Sequence, residues 1–146
     1  GIDGSTSTAI GASVVSSDPV LLITGDLSFF YDVNGLWNNY VSPNFRIIII
    51  NNGGGGIFRI LPGFQNTKLF TKYIETSQNL KAKQIAKLHG FTYQNKKTKL
   101  GLKLALKSFF KTSSKPKILE ISTNSEISSD TLKSYFKFLS KSDSDR

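Results

Sequence analysis

Three features of this 146-residue chain predict an α/β fold, a three-layer arrangement with a mostly parallel sheet and helices on both faces. Short apolar runs alternate with segments of helical periodicity along most of the chain, the pattern of strands joined by covering helices. The run from Phe45 to Ile50 holds four consecutive isoleucines, too β-branched for a good helix, and reads as a strand buried on both faces. Two predicted strands also break abruptly into Gly25-Asp26 and Asn51-Asn52-Gly53-Gly54-Gly55-Gly56. Open parallel sheets bind their ligands beyond such carboxyl ends.

The elements follow in order. Ser5 to Ser16 is small and weakly apolar, with Ser and Thr near its start to cap a helix. Pro19 to Thr24 is an unbroken apolar run after Asp-Pro and reads as a buried strand. Phe29, Phe30, Val33, Leu36, Trp37 and Tyr40 recur at helical spacing, predicting a helix of about three turns that Pro43 closes. After the Phe45–Ile50 strand and the glycines, Ala82, Ile85, Ala86 and Leu88 predict a helix, and Phe91 to Tyr93 a short strand. His89 and Gly90 end that helix, with Gly90 as its C-cap and no catalytic role for the histidine. Leu100 to Phe110 is an amphipathic helix and Lys117 to Ser122 another strand. A last helix begins at Ser129 or Asp130 with Leu132, Tyr135, Phe136 and Leu139 inward, and the polar tail 140–146 is expected to fray. No internal repeat is visible.

Composition narrows the function classes. At 38% apolar and 12% aromatic the chain is ordinary globular material, enough for one domain over residues 1–146. No apolar run approaches the roughly 20 residues of a membrane span, and no secretory leader is recognisable. Without cysteine there are no disulfides, thiolate metal sites or cysteine nucleophiles, which fits a reducing cytoplasm. The single histidine excludes a histidine-rich metal site. The chain begins at Gly1, holds no methionine and opens as if in mid-domain, so it is expected to be a C-terminal piece of a longer polypeptide.

Its net charge is +9, and thirteen of its nineteen basic residues are lysines between Lys68 and Lys117. Such asymmetry raises a nucleic-acid-binding α/β domain as an alternative. However, Lys99, Lys103, Lys107 and Lys111 form one stripe opposite Leu100, Leu104, Leu106 and Phe110, the solvated face of an amphipathic helix. No nucleic-acid motif accompanies them, so no such partner is expected.

The two strand ends carry the chemistry. Gly25-Asp26-Leu27-Ser28 leads straight into a helix, whose N-terminus favours a phosphate, and the Ser28 hydroxyl adds a donor. Asp26 would repel that phosphate unless a cation lay between them. Magnesium fills that role, taking carboxylate, amide and carbonyl oxygens together with phosphate oxygens. Asp26 and Asn52 end neighbouring predicted strands, and the glycines let a main-chain carbonyl approach the same ion. Gly-Asp and Asn-Asn-Gly are also common turns. Four glycines directly after a buried strand are less readily dismissed, since ordering each one costs backbone entropy.

In these residues the chain resembles the thiamine-diphosphate enzymes, which carry Gly-Asp-Gly and, some 25 to 30 residues on, Asn-Asn. Here Asn52 follows Asp26 by 26 residues. Leu27 and Ser28 depart from the general pattern, but Gly-Asp-Leu-Ser is the form of the menaquinone-pathway MenD-type synthases. Gly1-Ile2-Asp3-Gly4, Tyr31-Asp32-Val33-Asn34-Gly35-Leu36 and Gly55-Gly56-Ile57-Phe58 with Leu61-Pro62 extend the likeness, which is strong to Pro62 and collinear beyond. The resemblance implies the thiamine-diphosphate-binding fold, with this chain as its diphosphate- and magnesium-binding domain. Such enzymes decarboxylate 2-oxoglutarate and add the succinyl unit to isochorismate.

The same resemblance implies that Asp26 and Asn52 ligate magnesium (or manganese) through side-chain oxygens and Gly54 through its carbonyl. Gly25, Leu27 and Ser28 would receive the diphosphate, and Ile2 would be the apolar wedge beneath the bent cofactor. Ile57, Phe58 and Leu61 would line the reaction side. Arg59 is a candidate anchor for the substrate carboxylates, since Arg binds them bidentately. Asp32 and Asn34 are signature residues with an expected structural role. The cofactor-activating glutamate would come from the pyrimidine-binding domain of a partner subunit in a homodimer or tetramer, so this chain alone is expected to be inactive. Acetolactate synthases and oxoacid decarboxylases are the alternative within the superfamily, and a sheet domain without its ligand is another.

Overall fold

The computed structural model describes residues 2–61 and 67–144, the side chains of 141–144 excepted. Gly1 and Pro62 of the sequence motifs, and the last two residues of the tail, lie outside the described residues. The chain divides into two compact units, one of residues 1–51 and 80–122, the other of 52–79 and 123–146.

The first unit holds a four-stranded sheet of β1 (Leu21–Gly25), β2 (Arg46–Asn51), β3 (Thr92–Lys96) and β4 (Lys117–Ser122), ordered β1-β2-β4-β3. Every pairing is parallel. The isoleucine run is the central β2, and alternation along it feeds two cores. Ile47 and Ile49 join Ile10, Phe29, Leu36, Ala82, Ala86, Phe91 and Ile118 on one face, beneath α1 (Ser5–Val15), α2 (Asp26–Tyr31) and α3 (Lys83–Leu88). Ile48 and Leu119 meet Ala105 and Phe109 of α4 (Lys99–Phe109) on the other. The predicted three-layer architecture is present, with its sheet wholly parallel.

Several local expectations need correction. The helix expected from Phe29 to Tyr40 stops at Tyr31, and a 3-10 turn follows over Val33–Trp37. Trp37 and Tyr40 are therefore exposed and lie outside the core. β1 is an edge strand with only one covered face, since Leu21 and Ile23 are exposed while Leu22 packs on the core. On α4 the inward stripe is Leu102, Ala105, Leu106 and Phe109, and Leu100, Leu104 and Phe110 are exposed. The N-cap residue of α1 is Gly4, at φ 81°, so none of the nearby Ser or Thr side chains caps it. The basic Arg46 is buried at the start of β2. Its guanidinium donates to the carbonyls of Phe109 (3.0 Å), Pro43 (2.6 Å), Phe45 (3.0 Å) and Lys111 (3.1 Å), so the end of α4 is fixed by a side chain from the central strand.

The second unit contains a 3-10 turn (Gly56–Arg59), a π-helical turn (Phe70–Ile74) and α5 (Ser125–Ser144). Helix α5 starts four residues earlier than Ser129, because the Asn124 side chain accepts from the amides of Glu126 (2.9 Å) and Ile127 (3.0 Å) as an N-cap. It also continues to Ser144, so the tail expected to fray from Ser140 is helical over its described part. Its stripe of Leu132, Tyr135, Phe136 and Leu139, expected to face inward, is exposed. Among the described residues no helix is long and apolar enough to cross a membrane.

Candidate functional site

The sheet fixes where the two motif loops begin. In the parallel pairing of β1 with β2, Gly25 lies opposite Ile50. The chain thus leaves β1 into Asp26 and leaves β2 at Asn51 along one carboxyl edge. Asp26 is the first residue of α2 and only 2% exposed. Gly25 is extended (φ −82°, ψ 165°) and gives α2 no side-chain cap. Leu27 and Ser28 are half-buried in the first turn, whose amides an α-helix cannot satisfy internally.

Asp32 explains the signature that follows. Its buried carboxylate accepts from the Ser7 amide (2.8 Å) and the Ser7 hydroxyl (2.6 Å), and so caps the first turn of α1 from 25 residues away. Burial alone would raise its pKa, but the bonds from Ser7 and from the Thr6 amide outweigh burial and hold the carboxyl below its ordinary value. A Cβ at Gly35 would lie 2.7 Å from the Ser7 hydroxyl oxygen, so the glycine admits the close approach of α1. This contact ties the chain just after Ile2 to the end of the Asp26–Tyr31 helix. Ile2 itself is half-exposed, outside the core. Asn34 is exposed on the 3-10 turn.

In the second unit Asn52 and Gly54 open the glycine loop. Gly53 (φ 83°) and Gly54 (φ 155°) adopt backbone that other residues resist. A Cβ at Gly54 would sit 2.9 Å from the Glu75 carbonyl oxygen. Two bonds seat the loop against the returning chain: Gly55 N–H to Glu75 O (2.6 Å) and Gln78 N–H to Gly53 O (2.9 Å). A Cβ at Gly56 would collide with the Asn52 side-chain amide. Ile57, Phe58 and Leu61 are exposed apolar residues outside both cores.

Arg59 is engaged by groups of its own unit. Its Nε and Nη2 both donate to the buried Glu75 carboxylate, Glu126 lies 3.8 Å from Nη1, and the guanidinium stacks over Phe70. The hydrogen bond to Glu75 raises the arginine's pKa further. Arg59 is thus held within its own unit by Glu75, Glu126 and Phe70.

Sequence reasoning missed Glu120. It lies fully buried in β4 and accepts from Asn51 Nδ2 (2.6 Å), the Tyr93 hydroxyl (2.5 Å) and the Ala82 amide (3.0 Å), with Lys81 Nζ at 3.7 Å. Burial, then the bond to Glu120, pushes the Tyr93 phenol well above its usual range, so it remains a donor. The only available signal was one charge inside the apolar run Lys117-Ile118-Leu119-Glu120-Ile121. His89, not Gly90, is the C-cap of α3, and Gly90 follows it at φ 74°.

Comparison with known proteins agrees with this geometry. Residues 4–121 match the family model of the thiamine pyrophosphate enzyme C-terminal TPP-binding domain. The chain is similar to the 2-succinyl-5-enolpyruvyl-6-hydroxy-3-cyclohexene-1-carboxylate synthase of Christiangramia forsetii, 57% identical over 139 residues that cover 95% of this chain and 24% of that protein. The synthases of the same name from Flavobacterium psychrophilum and Porphyromonas gingivalis are 51% and 42% identical over 95% and 96% of the chain, and 25% and 24% of their own lengths. The chain thus spans about a quarter of these relatives. Among solved structures it resembles the thiamine diphosphate-dependent 4-hydroxybenzoylformate decarboxylase of Rhodococcus jostii RHA1, with TM-score 0.63 and 27% identity over 80% of this chain and 22% of that one. The match covers the sheet and both motif loops, and on it the chain belongs to the C-terminal TPP-binding domain family of thiamine pyrophosphate enzymes.

Proposed function

We propose that this chain is the diphosphate- and metal-binding domain of a menaquinone-pathway synthase that decarboxylates 2-oxoglutarate and adds the succinyl unit to isochorismate. The observation that carries this reading is the similarity, over nearly the whole chain, to synthases of that name. The Gly25-Asp26-Leu27-Ser28 turn beside the end of β2 supports it.

The residues fit a magnesium ion (or manganese) shared with the diphosphate. Among the described residues no group of three or more His, Cys, Asp or Glu could cage a metal. The donor set is instead one carboxylate (Asp26), one amide oxygen (Asn52) and one carbonyl (Gly54), the hard, oxygen-only and incomplete set that magnesium completes with phosphate oxygens and water. The Leu27 amide and the Ser28 hydroxyl would donate to the diphosphate. Ile2 would pack beneath the cofactor, and Ile57, Phe58 and Leu61 would keep water from the reacting side. Thiamine diphosphate, when bound, supplies the electron sink, and the protein supplies position and electrostatics.

The activating glutamate comes from the pyrimidine-binding domain of a partner subunit, in a homodimer or tetramer of the full-length enzyme. Turnover then needs the full-length protein. Product formation from 2-oxoglutarate with isochorismate, followed chromatographically, is expected from the complete enzyme and not from residues 1–146 alone. Equal or better use of pyruvate would overturn the substrate assignment, and turnover by the purified chain alone would overturn the shared-site assignment.

A further inference from the structure

We infer that Glu120 is a positioning residue for the cofactor loop: its buried carboxylate holds both stems of the 52–79 segment, which carries Asn52, Gly54, Ile57, Phe58 and Leu61. The inference rests on the functional reading above and concerns how this chain sets its own metal-binding loop.

The chain leaves the first unit after Asn51 and re-enters it at Leu80. Glu120 meets it at both points. One carboxylate oxygen accepts from the Asn51 side-chain amide (2.6 Å), at the end of β2. The other accepts from the Ala82 amide (3.0 Å), just after re-entry. The Asn51 amide also donates to the Leu80 carbonyl (3.0 Å), so the two stems are bonded to each other as well as to Glu120. Lys81, between Leu80 and Ala82, places its ammonium 3.7 Å from the same carboxylate. Tyr93 donates from the edge strand β3 (2.5 Å) and holds the carboxylate's orientation. Beyond the neck, Gly53 O accepts from Gln78 N–H (2.9 Å), which continues the closure into the loop.

A sheet does not need a carboxylate at this position. Its neighbours Ile118 and Leu119 are buried apolar residues, and a buried charge is costly unless paired and fully hydrogen-bonded. Three donors converge on Glu120, and two of them belong to the loop stems. Asn51 is the residue directly before Asn52 in the chain. Groups that hold a metal-binding loop in place without touching the ion commonly govern its affinity, and Glu120 is placed to do so through the stems.

The test uses the full-length enzyme with Glu120→Gln, which preserves shape but replaces one acceptor oxygen with a donor. The thiamine diphosphate concentration for half-saturation at fixed magnesium is expected to rise about 10- to 100-fold, the usual cost of losing such an outer partner. At saturating cofactor kcat is expected within about threefold of wild type, because Glu120 is not placed at the reacting atoms. Asn51→Ala is expected to show the same split and serves if Glu120→Gln does not fold. Tyr93→Phe, which removes one bond to the carboxylate but neither stem bond, is expected to weaken cofactor affinity less than Glu120→Gln, by about two- to fivefold. In the cofactor-free enzyme, hydrogen exchange of residues 52–79 is expected to accelerate in Glu120→Gln while β2 and β4 stay protected. A lower melting temperature with unchanged cofactor half-saturation and unchanged loop exchange would overturn the inference. A wild-type enzyme that bound no thiamine diphosphate would instead overturn the functional reading, and the exchange comparison would still decide the role of Glu120.

Discussion

Asp26→Ala in the full-length enzyme is expected to lose thiamine diphosphate affinity by two to three orders of magnitude and to abolish its dependence on magnesium. Asp26 supplies the only carboxylate of the proposed donor set, and it is 2% exposed at the start of α2. Removing one charge from a buried pair costs about 3–5 kcal/mol, and each 1.4 kcal/mol is about tenfold in affinity. Asp26→Asn separates charge from shape. It keeps an oxygen donor but not the negative charge, so a smaller loss, still with weakened magnesium dependence, is expected. Calorimetric titration of cofactor at several magnesium concentrations reads both effects. Undiminished affinity in Asp26→Ala would remove this residue from the site.

Gly54→Ala is expected to be nearly as damaging, for a steric reason. At φ 155° the backbone lies where only glycine is comfortable, which for other residues costs about 1–3 kcal/mol. The added methyl would also stand 2.9 Å from the Glu75 carbonyl and 3.3 Å from Ser77 Cα, both main-chain atoms that can move only with the loop. The loop must shift, and the Gly54 carbonyl with it. A cofactor half-saturation raised by at least about tenfold is expected, with stability lowered by about 1–3 kcal/mol. Gly11→Ala is the control: this helical glycine has open space around its absent Cβ, and alanine there is expected to be neutral or slightly stabilising. Equal tolerance of both substitutions would show that the strained backbone at Gly54 has no functional weight.

The sheet was legible because strand identity rests on local pattern. The isoleucine run of β2 and the apolar core of β4 declare themselves without tertiary information. The two motif loops were legible as strand-end loops because glycine, asparagine and aspartate cluster there. What sequence could not supply was pairing at a distance. The aromatic spacing from Phe29 to Tyr40 has helical period, yet the helix ends at Asp32, whose carboxylate is taken by Ser7 across 25 residues. Arg46 and Glu120 each interrupt an apolar strand. Only the fold reveals that one gathers four carbonyls and the other three donors. The partner of Arg59 was hidden for the same reason, since Glu75 lies 16 residues away and carries no motif. The exposed stripe of α5 shows a further limit: helical period predicts a helix but not what covers its apolar side.

The central claim is that one divalent ion links Asp26 and the Asn52–Gly54 loop to the cofactor's diphosphate. A crystal structure of the full-length enzyme with thiamine diphosphate and magnesium tests it most directly. The account predicts an Asp26 carboxylate oxygen, the Asn52 side-chain oxygen and the Gly54 carbonyl oxygen each about 2.1 Å from a single ion that also touches the diphosphate. An ion held by other residues, with the Asp26 carboxylate more than about 4 Å away, would contradict it.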